Sequence, residues 1–201
     1  MPEQYFARRP SAAHRTGEFT SVLRRRSFTF RTDSAVFSRR DVDAGTRLLI
    51  DSVQIGPRES VLDLGCGYGP IGLALAGTVE GARVVMTDVN RRAVGLARKN
   101  AEANAVRADV REGTLYEPVA GLVFDHVVSN PPIRAGKSVV HAIVEGAPTH
   151  LLDGGSLWLV ARTRQGAPSL ERKMEEVFGN TEVVARGGGF RVLRSARPGN
   201  P

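Results

Sequence analysis

Asp63-Leu64-Gly65-Cys66-Gly67-Tyr68-Gly69-Pro70 is the stretch of this 201-residue sequence whose residue types constrain chemistry most strongly. Glycines let a backbone turn tightly and approach a ligand closely, and the helix expected after them offers free N–H groups to a carboxylate or phosphate. Two devices fit the same letters. Gly67-x-Gly69-x-x-Gly72, with Asp88 about twenty residues on, matches the dinucleotide fingerprint, in which the acid holds a ribose. Asp-x-Gly-x-Gly-x-Gly, with its acid at the end of a strand, is the other. Asp63 favours the second, because a carboxylate beside the turn repels a pyrophosphate and suits an ammonium group.

The second stretch is Ser129-Asn130-Pro131-Pro132-Ile133. Two prolines at the exit of a strand stiffen the loop, hold the preceding residue extended and contribute no N–H of their own. The side-chain oxygen of Asn130 and the carbonyl of Pro131 can then aim at one planar NH2 group. Accepting both of its hydrogens localises the nitrogen lone pair, which makes a poor nucleophile able to attack an adjacent methyl sulfonium. Orientation and electrostatic preorganisation carry such a reaction without a strong base.

Positioning these residues requires alternating strands and helices. Val61 to Leu64 is a short apolar run, Ile71 to Ala76 a small-residue helix, and Arg83 to Met86 a β-branched run ending at Thr87-Asp88. A helix follows over Arg91 to Asn104, with Ala93, Val94, Ala97 and Ala101 on one face. Strands are expected at Ala108 to Arg111, Phe124 to Val128 and Leu157 to Val160, and helices at Val139 to Leu152 and Ser169 to Phe178. Glu182 to Val184 and Phe190 to Leu193 close the chain as two strands about Gly187-Gly188-Gly189. Such an order predicts a mostly parallel sheet with helices on both faces and an antiparallel C-terminal strand. Upstream, Glu18 to Leu23 and Ser27 to Thr32 suggest a hairpin, and Asp43 to Val53 a helix capped by Asp43. Residues 1–17 have the composition of a loose tail, and 18–201 are expected to form one domain.

Composition narrows the classes. Hydrophobic residues make up 41% and charged residues 24%, the balance of a globular protein. No apolar run is long enough to cross a membrane, and no signal-like segment opens the chain, so the expected location is the cytoplasm. One cysteine, Cys66, and four scattered histidines make a metal site an unpromising expectation. The formal net charge is +7, and residues 1–40 hold nine arginines against three acids. Arg24, Arg25 and Arg26 stand in a row, a local basic segment of the kind a polyphosphate partner such as RNA requires.

Asp63 to Gly72, Asp88 and Asn130 to Ile133 together resemble the class I S-adenosylmethionine-dependent methyltransferases. More narrowly they resemble the small-domain group whose bacterial members methylate the exocyclic amine of guanine in small-subunit ribosomal RNA. The resemblance extends to Asp33-Ser34-Ala35-Val36-Phe37-Ser38, Asp43-x-Gly45-Thr46-x-Leu48-Leu49 and onward to Lys137, covering about residues 18–196. It implies a Rossmann-like, seven-stranded sheet. It implies that Asp63, Gly65 and Gly67 hold the methionine end of the cofactor and Asp88 the ribose, with Cys66, Gly69, Val89, Thr114 and Leu115 also among the cofactor-binding residues. Asn130, Pro131, Pro132 and Ile133 would form the catalytic turn. Phe37, Arg134 and Lys137 would meet the substrate, with Arg24, Arg25 and Arg26 gripping RNA. Thr114 stands where relatives often place Asp or Asn, and Ile133 where many amine methyltransferases place an aromatic ring. Methylation of a protein glutamine amide, a nicotinamide-dependent reductase and a non-catalytic RNA-binding assembly factor are the rival readings.

Overall fold

The computed structural model describes residues 16–33, 41–131 and 136–199. In chain order these form β1 (Gly17–Leu23), β2 (Arg26–Thr32), α1 (Ala44–Ser52), β3 (Ser60–Leu64), α2 (Pro70–Thr78), β4 (Arg83–Asp88) and α3 (Arg91–Ala103). β5 (Asp109–Glu112), β6 (Phe124–Ser129), α4 (Lys137–Gly146), β7 (Leu151–Arg162), α5 (Ala167–Phe178), β8 (Glu182–Gly187) and β9 (Phe190–Ala196) follow. Helix starts obey local chemistry. Asp43 and Asn90 cap α1 and α3 by accepting backbone N–H groups, and Pro70 opens α2 where a missing N–H does no harm.

Seven strands pair in the order β5-β4-β3-β6-β7-β9-β8. Every pair from β5 to β7 is parallel; β9 runs antiparallel to both β7 and β8. This is the Rossmann-like arrangement expected, with one antiparallel strand near the C-terminus. Side chains alternate across it. Val61, Val128, Trp158, Val160 and Val192 pack with α1, α2, α3 and the hairpin, while Leu62, Leu64, Val127, Leu157, Leu159 and Leu193 pack with α4 and α5. Asp63 shares the parity of Val61 and so faces α2. Among the described residues, no helix is long and apolar enough to cross a membrane.

β1 and β2 pair only with each other, Leu23 opposite Arg26, so the hairpin turns on Arg24 and Arg25. The free edge of β2 is satisfied by two side-chain amides one turn apart on α3. Asn100 accepts from Arg31 N and donates to Arg31 O, and Asn104 does the same for Thr29, all at 2.8–3.0 Å. Phe28 and Phe30 are fully buried beneath.

The expected boundaries differ most around β7, a strand expected at Leu157 to Val160 and found over Leu151–Arg162. The helix foreseen over Val139 to Leu152 ends at Gly146, a single 3-10 turn covers Ala147–His150, and Leu151 already belongs to β7. Pro148 has no N–H to continue the helix, and a bulge opposite Phe124 and His126 absorbs Gly154 and Gly155 into β7. Most of residues 1–17 lies outside the described residues.

Candidate active site

The C-terminal ends of β3, β4, β5 and β6 converge on one rim of the sheet, where parallel α/β sheets place their ligand crevices. Ser129 Oγ donates to Leu64 O at 2.6 Å and ties the exit of β6 to that of β3. Gly65 N and Cys66 N both donate to Thr87 O, at 2.8 and 2.9 Å, fastening the glycine turn to β4. Gly67 N donates to Asp88 Oδ2 at 2.8 Å, and Asn90 N to Asp88 Oδ1 at 2.7 Å. Gly113 N donates to Asp88 O, which brings the turn of Thr114 and Leu115 beside Asp88 and Val89. Sequence-expected positions from three separate loops thus meet at one edge.

The turn has the shape of a cradle. Gly65 and Gly67 hold φ of 74° and 59°, and a Cβ added to either would meet nothing within 4 Å. Gly72 does different work. A Cβ there would fall 2.4 Å from Met86 Sδ, so this glycine lets α2 lie against β4. Cys66 is buried, and burial pushes its thiol well above the usual range. It packs and offers backbone only.

Asp63 is 1% exposed. Its Oδ2 accepts from Gly72 N at 2.9 Å, and its Oδ1 is buried without any hydrogen-bond partner. Burial pushes the acid up to about 7; the Gly72 N–H pulls it down and the charge of Asp88 pushes it up again. Asp88 is also raised, by burial first, with the Asn90 and Gly67 N–H groups opposing. A buried carboxylate oxygen with no donor, beside an open glycine turn, is what an ammonium-bearing ligand would complete.

Asn130 is locked from a direction that no local pattern announces. Its Nδ2 donates to Thr46 Oγ1 at 2.8 Å, across 84 residues of sequence. The Thr46 hydroxyl donates its one proton to Asp43 Oδ2. Asp43 Oδ1 meanwhile accepts from Gly45 N and Thr46 N as the cap of α1. A hydroxyl whose proton is already given to a carboxylate can only accept, so the amide must turn its NH2 toward Thr46 and leave Oδ1 as the acceptor. Asp43-x-Gly45-Thr46 was visible in the sequence as a helix start; its hold on Asn130 was not.

Pro131 is buried beside Asn130, and Lys137 is exposed at the start of α4. Phe37, Pro132, Ile133 and Arg134 lie outside the described residues. Arg24, Arg25 and Arg26, expected to grip RNA, are not at this rim. Arg24 Nη2 donates to Val53 O at 3.3 Å, and Arg26 donates to Gly77 O and Asn104 O at 2.7 and 2.6 Å. Those carbonyls end α1, α2 and α3, about 13 Å of helix away from the rim in the case of α1. Two of the three guanidinium groups cap helix C-termini, where a cation complements the helix dipole.

The family of the methyltransferase small domain matches residues 27–194. The chain is 42% identical to the protein YbxB of Bacillus subtilis (strain 168) over 200 residues, covering 98% of this chain and all of that protein. It is 35% identical over 173 residues to ribosomal RNA small subunit methyltransferase C of Klebsiella pneumoniae subsp. pneumoniae, covering 84% of this chain and 49% of that protein. The chain therefore spans about half the length of that relative. The structure of the T. thermophilus 16S rRNA N2 G1207 methyltransferase in complex with AdoMet and guanosine superposes with a TM-score of 0.84 at 29% identity. That superposition covers 94% of this chain and 52% of the other. The dinucleotide alternative left open by Gly67-x-Gly69-x-x-Gly72 falls away, and the extent of the match makes this chain a member of the methyltransferase small-domain family.

Proposed function

We propose that this protein is an S-adenosylmethionine-dependent methyltransferase acting on an exocyclic amine of a base in structured RNA, guanine N2 of ribosomal RNA above all. The observation that carries this reading is the orientation of Asn130 by Thr46 and Asp43, a fixed oxygen acceptor at the same rim as the unpaired Asp63 oxygen. The relatives named for small-subunit ribosomal RNA support the substrate class.

S-adenosylmethionine, when bound, supplies an electrophilic methyl group on a sulfonium. Asp63 Oδ1 would accept from its ammonium, with Gly65, Cys66, Gly67 and Gly69 giving backbone room. Each Asp88 oxygen already accepts one N–H and keeps a lone pair for a ribose hydroxyl. Val89, Thr114 and Leu115 stand where the adenine would lie. On the substrate side, Asn130 Oδ1 and the Pro131 carbonyl would take the two hydrogens of the target amine, while Pro132 and Ile133 complete the turn. Phe37, Arg134 and Lys137 are proposed substrate contacts. A ribosomal substrate places the enzyme in the cytoplasm.

The test is transfer of a tritiated methyl group from S-adenosylmethionine to RNA and to protein, offered separately. We expect label in RNA, recovered as N2-methylguanosine after nuclease digestion. Label in glutamine of protein, or no transfer by a chain that binds S-adenosylhomocysteine, overturns the reading. Asn130→Ala should lower kcat by about 100-fold or more, with S-adenosylhomocysteine affinity nearly unchanged. Thr46→Val should cost roughly tenfold in kcat, and Thr46→Ser should restore it, because only a hydroxyl relays the Asp43 constraint to the amide.

A further inference from the structure

We propose that the exit of β7 and the β8–β9 hairpin form the surface that holds RNA flanking the target nucleotide, an inference that rests on the RNA reading above. Position is the first ground. Arg162 ends β7, and Thr163 N donates to Gly189 O at 2.8 Å, pinning the loop after β7 to the hairpin turn. Phe190 lies against the first turn of α1, close enough that a Cβ on Gly45 would fall 2.7 Å from its ring. The next residue, Thr46, is the anchor of Asn130. One residue of α1 therefore separates this hairpin from the group assigned to the target amine.

Charge is the second ground. Arg162, Arg164 and Arg186 are exposed, and among the described residues none of the ion pairs involves any of them. The guanidinium of Arg162 lies over the Phe190 ring, 4.8 Å from its centroid, an arrangement that orders a planar cation at little entropic cost. Arg186 sits directly opposite Arg191 in the β8–β9 register, so both side chains leave the α5 face, the opposite one to Arg162, one residue from the rim end of β8. Like charges so placed destabilise a strand pair, and only Arg191 finds relief, from Glu171 at 3.5 Å. A repulsion kept at the rim is the pattern of a surface shaped for an absent polyanion rather than for stability. The Arg24–Arg26 segment offers the opposite case: two of its guanidinium groups hydrogen-bond carbonyls at helix ends on the far side of the fold.

The test is filter binding of an in vitro transcript of small-subunit ribosomal RNA across a series of salt concentrations. The triple variant Arg162→Gln, Arg164→Gln, Arg186→Gln should bind more weakly, its log–log salt slope shallower by about 2–3, near one per lost phosphate contact. Its affinity for S-adenosylhomocysteine should match that of the unaltered chain. Arg25→Gly should leave the slope unchanged. Arg186→Gln alone should weaken RNA binding while raising the melting temperature, a combination that loss of folding cannot produce. An unaltered chain that binds the transcript alongside a triple variant of equal affinity and slope would overturn this surface and leave the RNA reading standing. An unaltered chain that does not bind the transcript would overturn both.

Discussion

Asp63 shows how one buried carboxylate can be costly to the protein that carries it. It is buried, singly hydrogen-bonded and raised to about 7, against 3.8 for an exposed aspartate. Between those values the folded chain keeps a proton that the unfolded chain has released. Stability of the ligand-free protein should therefore fall as pH rises from about 4 to about 7, and this contribution should be level above that. Asp63→Asn should remove that part of the pH dependence and raise the urea midpoint at pH 8, since no charge remains to bury. The same substitution should weaken S-adenosylhomocysteine binding by about tenfold or more, because an amide cannot neutralise an ammonium. In the unaltered chain that affinity should rise with pH up to about 7, as the carboxylate ionises. An unchanged pH slope of stability in Asp63→Asn would show that the group is not the one titrating.

At the scale of elements, the hairpin and α3 depend on each other. Arg24 and Arg25 hold φ of 46° and 67° in a two-residue turn, a conformation that favours Asn and Gly and costs arginine about 1 kcal/mol each. Arg24 is retained by its bond to Val53 O, whereas Arg25 is exposed. Arg25→Gly should therefore stabilise the fold by up to about 1 kcal/mol in chemical denaturation. Asn100 is fully buried and serves Arg31 N, Arg31 O and Tyr68 O at once. Asn100→Ala should cost about 2–3 kcal/mol, because it strands buried backbone groups of β2 and of the glycine turn together. The elements that were legible in advance were those with local punctuation, such as Asp43 before α1 and Gly187-Gly188-Gly189 before β9. The end of α4 was misjudged because apolar spacing continues through His150 into Leu151, and whether such a run becomes helix or strand is settled by the strand waiting beside it.

For the whole molecule, two apolar cores share one sheet, one on each of its faces. We expect a single cooperative thermal transition. S-adenosylhomocysteine at a hundred times its Kd should raise the melting temperature by roughly 5–10 °C, the equivalent of about 2.7 kcal/mol in a domain of this size. Two transitions of which only one moves would show that the chain folds as separate units. The parallel sheet, the glycine turn after its first strand and the Asn130-Pro131 exit of β6 were determined by the sequence alone, because each follows from short-range geometry: glycine at positive φ, strand alternation, proline without a donor. The grip of Thr46 on Asn130, the orphaned oxygen of Asp63 and the capping duty of Arg24 and Arg26 were decided only by tertiary structure. Each of these depends on which distant groups packing brings within hydrogen-bonding reach, and on which polar atoms burial leaves without a partner. Neither property is carried by local propensity, so nothing in a run of three arginines shows that two of them meet the ends of helices.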